Sequence, residues 1–127
     1  MMQVALTSVV VTDPVAAFQF YTQVLGFEEQ IFMPEMNLAI VRSSDSSQTV
    51  GLLLEPNQHP ASKAFQEAIY QEGLPCIVFG TDDINGDYER LRSKGVVFRQ
   101  TPEPNEMGFQ AMFEDGFGNI IQLVQIL

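Results

Sequence analysis

The sequence predicts an α+β fold made of two tandem β-α-β-β-β modules, and three observations carry that reading. An apolar run, a Thr-Asp pair, a helix-period segment and a glycine occur in that order twice, over residues 6–26 and again over residues 77–95. Asp13 to Gly26 and Asp82 to Gly95 each span 13 positions, so the copies sit 69 residues apart, with Val15 laid on Ile84 and Phe27 on Val96. Short apolar runs bounded by turn residues then follow each copy. The helical apolar faces drift by about one residue after the first turn, so the two copies match in architecture and hardly in identity. Two copies indicate a duplicated domain, because a solenoid needs at least three repeats.

Residues 4–11 form a nearly continuous β-branched run and read as a buried strand. Asp13 can cap a helix whose first position is Pro14, where a missing N–H costs nothing. Ala17, Phe18, Tyr21, Val24 and Leu25 recur at helical spacing and give that helix one apolar face, and Gly26 ends it. Residues 27–33 and 36–42 read as two strands turning near Pro34 and Glu35. Residues 43–47 are a polar loop, and residues 49–54 a further strand closed by Pro56 and Asn57. In the connector, Pro60 opens a helix with Phe65, Ala68 and Ile69 on one side, closed by Gly73 and Pro75. The second half restarts with a strand at residues 76–79. Asp82 caps the next helix, whose apolar positions are Ile84, Tyr88 and Leu91, and Arg92 and Lys94 suit its carbonyl end. Residues 96–99 read as a strand, 101–107 as a Pro- and Glu-rich loop, and 109–113 and 120–126 as the last strands. Residues 114–119 join these two with a turn dense in residues that tolerate unusual backbone angles. The whole reads as a single domain over 1–127, with module 1 at about 1–55, a linking helix at about 56–74 and module 2 at about 75–127.

A hydrophobic fraction of 46% is ample for a packed core. The formal charge of -10, with only six Lys and Arg, excludes nucleic acid as a natural partner. That charge serves solubility or draws a cationic ligand. The lone Cys76 allows no internal disulfide and fits a reducing compartment. Residues 1–11 carry no Lys or Arg before their apolar stretch, so they read as a strand and not a signal peptide. No apolar run approaches the ~18 residues that span a bilayer. A cytoplasmic protein without membrane contact is expected.

Three segments carry a family resemblance: residues 13–27 (DPVAAFQFYTQVLGF), residues 50–56 ending in LLLEP, and residues 113–123 (FEDGFGNIIQL). Together with residues 82–95 they resemble the vicinal-oxygen-chelate superfamily. That grouping includes glyoxalase I, bleomycin-resistance proteins, fosfomycin-resistance enzymes and extradiol dioxygenases. The resemblance covers essentially the whole chain. It implies the glyoxalase/bleomycin-resistance fold, paired modules whose curved sheets form an open cup, usually completed by a second subunit and hence a homodimer.

Metal-using members hold a divalent ion on four side chains, typically His, Glu or Gln, from four strands. Carried over position by position, the slots fall on Leu6, Cys76 and Gln122. The fourth is Leu53, 69 positions before Gln122, or Gly51 if that strand is staggered. Leucine cannot ligate, an amide oxygen is a weak ligand, and zinc, iron or manganese needs three or four converging donors. No cofactor is therefore expected, and glyoxalase, dioxygenase or fosfomycin-type chemistry loses its basis.

Ser8, Arg42, Glu55, Cys76, Met112 and Gln122 make up the candidate pocket residues. Glu55 shares a sheet face with Gly51 and Leu53 by alternation, pointing into the cup or ending the strand in water. Cys76 is a nucleophile or a buried structural thiol. Gln122 hydrogen-bonds a ligand or is satisfied within the sheet. Arg42 meets an anion or snorkels to solvent. Met33, Met36, Met107 and Met112 with Phe32, Phe109 and Phe113 line an apolar cavity or form plain core. His59, the only histidine, sits in a turn outside the strand slots and reads as an exposed loop residue. No P-loop, dinucleotide fingerprint, nucleophile elbow or Cys-x-x-Cys pair is present. The preferred function is metal-free binding of a small organic ligand, in the manner of bleomycin-resistance proteins. The alternatives are a lyase or oxidoreductase whose divalent metal sits on Glu55, Cys76 and Gln122, and a non-catalytic dimeric interaction module.

Overall fold

Alternating side chains send every second residue of a strand to one face, and here only one face of each sheet is packed under a helix. The computed structural model describes all residues 1–127, which divide into two compact units, Met1–Lys63 and Ala64–Leu127. The first holds strands β1 (Leu6–Val11), β2 (Glu28–Met33), β3 (Leu38–Arg42) and β4 (Gly51–Pro56), in the order β1-β4-β3-β2. The second holds β5 (Ile77–Gly80), β6 (Phe98–Pro104), β7 (Gly108–Glu114) and β8 (Ile120–Ile126), in the order β5-β8-β7-β6. In each the first strand pairs parallel with the last and the remaining pairs are antiparallel. The class is α+β with two open four-stranded sheets, as the sequence predicts.

Helix α1 (Pro14–Gln19) and the π-helical turn Phe20–Val24 that extends it follow β1, and α3 (Ile84–Ser93) follows β5. Buried Ala17, Phe18 and Tyr21 meet buried Val9, Val11, Ala39, Val41, Leu52 and Leu54 in the first unit's core, and the Phe18 ring stacks on Phe32 at 3.9 Å. Ile84 and Leu91 with Ala111, Phe113, Ile121 and Leu123 form the second core, where Phe98 packs edge-on to Tyr88.

The one-residue drift between the copies has a local cause. Asp13 Oδ1 accepts from Val15 N and Ala16 N at 3.1 and 3.2 Å, whereas in the second copy the cap is Asp83, whose Oδ1 accepts from Gly86 N at 3.0 Å. Asp82 is not the cap, so the helix starts lie 70 positions apart, and the glycines that end the helices 69. The extra residue sits in the π turn, where Leu25 N donates to Phe20 O five positions back. The Thr22 hydroxyl donates to Phe18 O at 2.7 Å within that turn. A π turn of this kind absorbs an inserted residue without changing which side chains face the core. Phe27 N accordingly reaches back to Tyr21 O, and Val96 N to Leu91 O, one position nearer.

Several boundaries differ from expectation. The proline-rich segment expected as a loop belongs to β6, an edge strand with register shifts between Phe98 and Gln100 and between Gln100 and Glu103. Edge strands tolerate Pro102 and Pro104 because one row of their N–H groups is unpaired anyway. Strand β1 starts at Leu6 and β4 at Gly51, and Pro34–Met36 is a 3-10 turn closed by Asn37 at φ 55°. In α2 (Pro60–Gln71) the expected apolar side is outside: Phe65 is 63% exposed and Ala68 is exposed, while Gln66 is buried.

Asp13→Ala and Asp83→Ala are each expected to lower stability by about 1 kcal/mol, and Asp82→Ala by less than about 0.5 kcal/mol. Urea unfolding midpoints of the three variants give the order, and a larger loss at Asp82 would restore the cap to that residue.

Candidate functional site

The faces turned away from α1 and α3 carry the candidate chemistry. In the first unit, register places Leu6 beside Gly51, Ser8 beside Leu53, and Val10 beside Glu55, with Ile40 on the far side of Leu53. Glu55 therefore lies on the open face, as its alternation predicts. A Cβ at Gly51 would stand 3.0 to 3.1 Å from Gln30 Oε1, Ile40 Cγ2 and Leu6 Cδ1, so these three side chains converge over the glycine. Leu6 and Leu53 themselves carry only hydrocarbon side chains, and Leu6 is 46% exposed. Arg42 reaches Glu28 at 3.4 Å, with both groups about half exposed, a pairing worth little in water.

In the second unit Val78 lies beside Gln122, and Gln122 beside Met112. Ser8 and Val78 hold equivalent register positions, as do Leu53 and Gln122. Gln122 Nε2 donates to Gln110 Oε1 at 3.5 Å, Gln110 Nε2 to Gln100 Oε1 at 3.2 Å, and Gln100 Nε2 to Glu103 Oε1 at 2.6 Å. Asn105 Nδ2 also donates to Gln110 Oε1, at 3.0 Å. Sequence reading found only the Gln122 end of this row. The polar residues Gln110 and Glu114 alternating through β7 were the available signal, but linking them to Gln100 requires the register of a bulged strand.

Cys76 N donates to Ile120 O at 2.9 Å, and the thiol is half-buried. Burial first, and then the nearby Asp115 carboxylate, push the thiol from 9.0 up to about 12. A protonated thiol is a poor nucleophile and a poor metal ligand. Asp115 belongs to the β7–β8 turn, where it accepts from Phe117 N, Asn119 N and Asn119 Nδ2. Buried Gln66 of α2 locks this turn by donating to Phe117 O and Asn119 Oδ1. Gly118, at φ +95°, leaves the room for it. Tyr70 of the same helix donates to Glu114 Oε1, a bond that raises its phenol, and Arg99 meets the other Glu114 oxygen at 3.4 Å.

His59 is outside the strand slots, as expected, and it closes the start of a helix. Its Nδ1 accepts from Ala61 N at 3.1 Å and so caps α2. The methionines and aromatics divide by parity. Phe32 and Phe113 are core side chains; Met33 and Met112 lie on the open faces; Met36 and Met107 are exposed at turns. The structure has no group of three or more His, Cys, Asp or Glu side chains that could hold a metal ion. No helix is long and apolar enough to cross a membrane.

Residues 3–123 match the Glyoxalase/Bleomycin resistance protein/Dioxygenase superfamily. The chain belongs to that superfamily. Among superfamily relatives, the uncharacterized Bacillus subtilis protein YurT is 44% identical, with 98% of this chain and 99% of YurT covered. Two solved structures share the superfamily fold at 28% identity. UcmS2 superposes with a TM-score of 0.80 and 97% of both chains covered. TnmS3, an antibiotic binding protein from Streptomyces sp. CB03234, has a TM-score of 0.75 with 100% of this chain and 98% of TnmS3 covered.

A thiol raised in the folded state favours folding below its unfolded value, and that contribution is lost as the unfolded thiol ionises. Between pH 9.0 and about 12 the wild type is therefore expected to lose stability faster than Cys76→Ser. Denaturant midpoints across that range test this, and parallel curves for the two proteins would contradict the burial effect.

Proposed function

We infer that this superfamily member binds a small organic molecule on the open face of its Gln122 sheet, without a metal ion, and holds the molecule without transforming it. The observation that carries the reading is the content of the four slots where metal-using relatives place ligands. Leu6 and Leu53 are hydrocarbon, the Cys76 thiol is held protonated, and Gln122 is tied into an amide row. Those side chains offer neither a ligand set for a Lewis acid nor an activated nucleophile nor a histidine. What remains is recognition: apolar contact from Val78 and Met112 with amide hydrogen bonding beside them. TnmS3, which shares the fold, is an antibiotic binding protein, and that supports the same class of activity. A homodimer fits the reading, because Leu6 and Phe65 are 46% and 63% exposed and a second copy could cover them.

The test is thermal unfolding of the purified protein against a panel of aromatic antibiotics, bleomycin included, with and without EDTA. At least one compound is expected to raise the midpoint by mass action, by the same amount in EDTA. A rise produced by zinc alone, and lost in Cys76→Ser or Gln122→Ala, would sink the metal-free reading. Light scattering of the eluted protein is expected to give twice the 14.2 kDa chain mass, and a monomer would remove the second copy from the proposal.

A further inference from the structure

Three glutamines, a glutamate and an asparagine form a continuous row on the open face of the second sheet, and the row has a direction. A carboxylate accepts and cannot donate, so Glu103 requires the Nε2 end of Gln100 to face it, as it does at 2.6 Å. That leaves Gln100 Oε1 facing Gln110, which must answer with Nε2, at 3.2 Å. The Asn105 turn fixes the same residue independently. Asn105 Oδ1 accepts from Met107 N and Gly108 N at 2.9 and 2.8 Å, so its Nδ2 is the end left to donate to Gln110 Oε1. Two separate constraints, a carboxylate and a backbone turn, therefore orient Gln110 the same way. Gln110 in turn offers Oε1 to Gln122, which answers with Nε2 across the longest link of the row, 3.5 Å. The remaining end of Gln122, its Oε1, accepts no hydrogen bond from the protein and is not buried.

We propose that this row is a polarity filter: Gln122 presents a carbonyl oxygen to the ligand, so the molecule bound has an apolar body and carries an O–H or N–H donor. The amide dipoles run head to tail from Gln122 to Glu103, which leaves their negative end at Gln122 and strengthens it as an acceptor. Val78 and Met112 flank Gln122 in register and supply the apolar contact. The formal charge of -10 acts in the same direction, since it disfavours anionic ligands at long range. Gln122 is the contact residue; Gln110 is a positioning residue that acts only through it. The inference rests on the binding reading above and specifies the chemistry of the ligand.

The test uses the full chain with two probes of one naphthalene body, 2-naphthol, which has a donor, and 2-methoxynaphthalene, whose O-methyl group replaces it, titrated by calorimetry with the side-chain amide resonances followed by NMR. The phenol is expected to bind about tenfold more tightly, the worth of one neutral hydrogen bond, and to shift the Gln122 amide signals. Gln122→Leu should remove the preference of the phenol over the ether, since it deletes the acceptor. Gln110→Leu, which frees the Gln122 amide to turn, should narrow the preference without weakening the ether. Backbone amide spectra show whether each variant is folded, and the wild-type comparison needs no variant at all. Equal binding of both probes to the wild type overturns the filter and leaves organic-ligand binding standing. Binding of neither probe, together with no response to the antibiotic panel, overturns both.

Discussion

Each sheet is covered by a helix on one side only, and nearly everything else in the chain follows from that. Strand residues alternate between faces, so a slip of one position would exchange the core set for the open set. The register accordingly runs unbroken in every pairing made by the last strand of each unit, β1–β4 and β3–β4, and β5–β8 and β7–β8. Irregularities are confined to the edge strands β2 and β6, where a bulge shifts one pairing and reaches no further. The π turn after α1 is the helical counterpart: it takes up one extra residue while Tyr21 and Phe27 keep their places.

The turn at residues 115–119 shows how a family sequence signature translates into physics. Its acid and its asparagine satisfy each other and the turn backbone, so a carboxylate 2% exposed is not left without partners. The glycine at 118 exists because Gln66 lies where its Cβ would be, at 2.7 Å. The same carboxylate reaches Cys76 electrostatically and helps hold the thiol protonated. The Asp-Gly-Phe-Gly-Asn turn is thus a structural lock that also quiets the one cysteine.

Much of the fold was legible because duplication writes the same pattern twice: apolar strand, Asp cap, helix, glycine, three strands. Element identity survived where periodicity was strong and failed where a rule has exceptions set by topology. Prolines argue against a strand in general, but β6 lies at an edge, which the sequence does not display. Thr-Asp-Asp offers two adjacent caps, and the choice falls on Asp83, which accepts from Gly86 N while Ile84 N is taken at 2.9 Å by Gln125 Oε1, far along the chain. Phe65 belongs to an apolar helical stripe in sequence, yet the buried position is Gln66, because that face meets the polar β7–β8 turn. Of the candidate site, the four slots could be placed by counting. The amide row could not, since Gln100 and Gln110 meet across the bulged β6–β7 register and Gln110 and Gln122 on a diagonal between β7 and β8.

Leu53 and Gln122 occupy the same station in the two copies, each beside the equivalent residue of the parallel strand, yet one is hydrocarbon and the other an amide. The backbone accepts both because that station faces away from the helix layer, so neither choice disturbs a core that must be filled to native density. Change at that station therefore leaves the helix-side core untouched, whereas at Gly51, on the same open face, Gln30, Ile40 and Leu6 close in and leave little room for a side chain. Loss of ligating side chains need not leave an inert face, however. An amide tied at one end keeps a single polar group aimed outward, and a site built on one oriented hydrogen bond rejects molecules that cannot complete it.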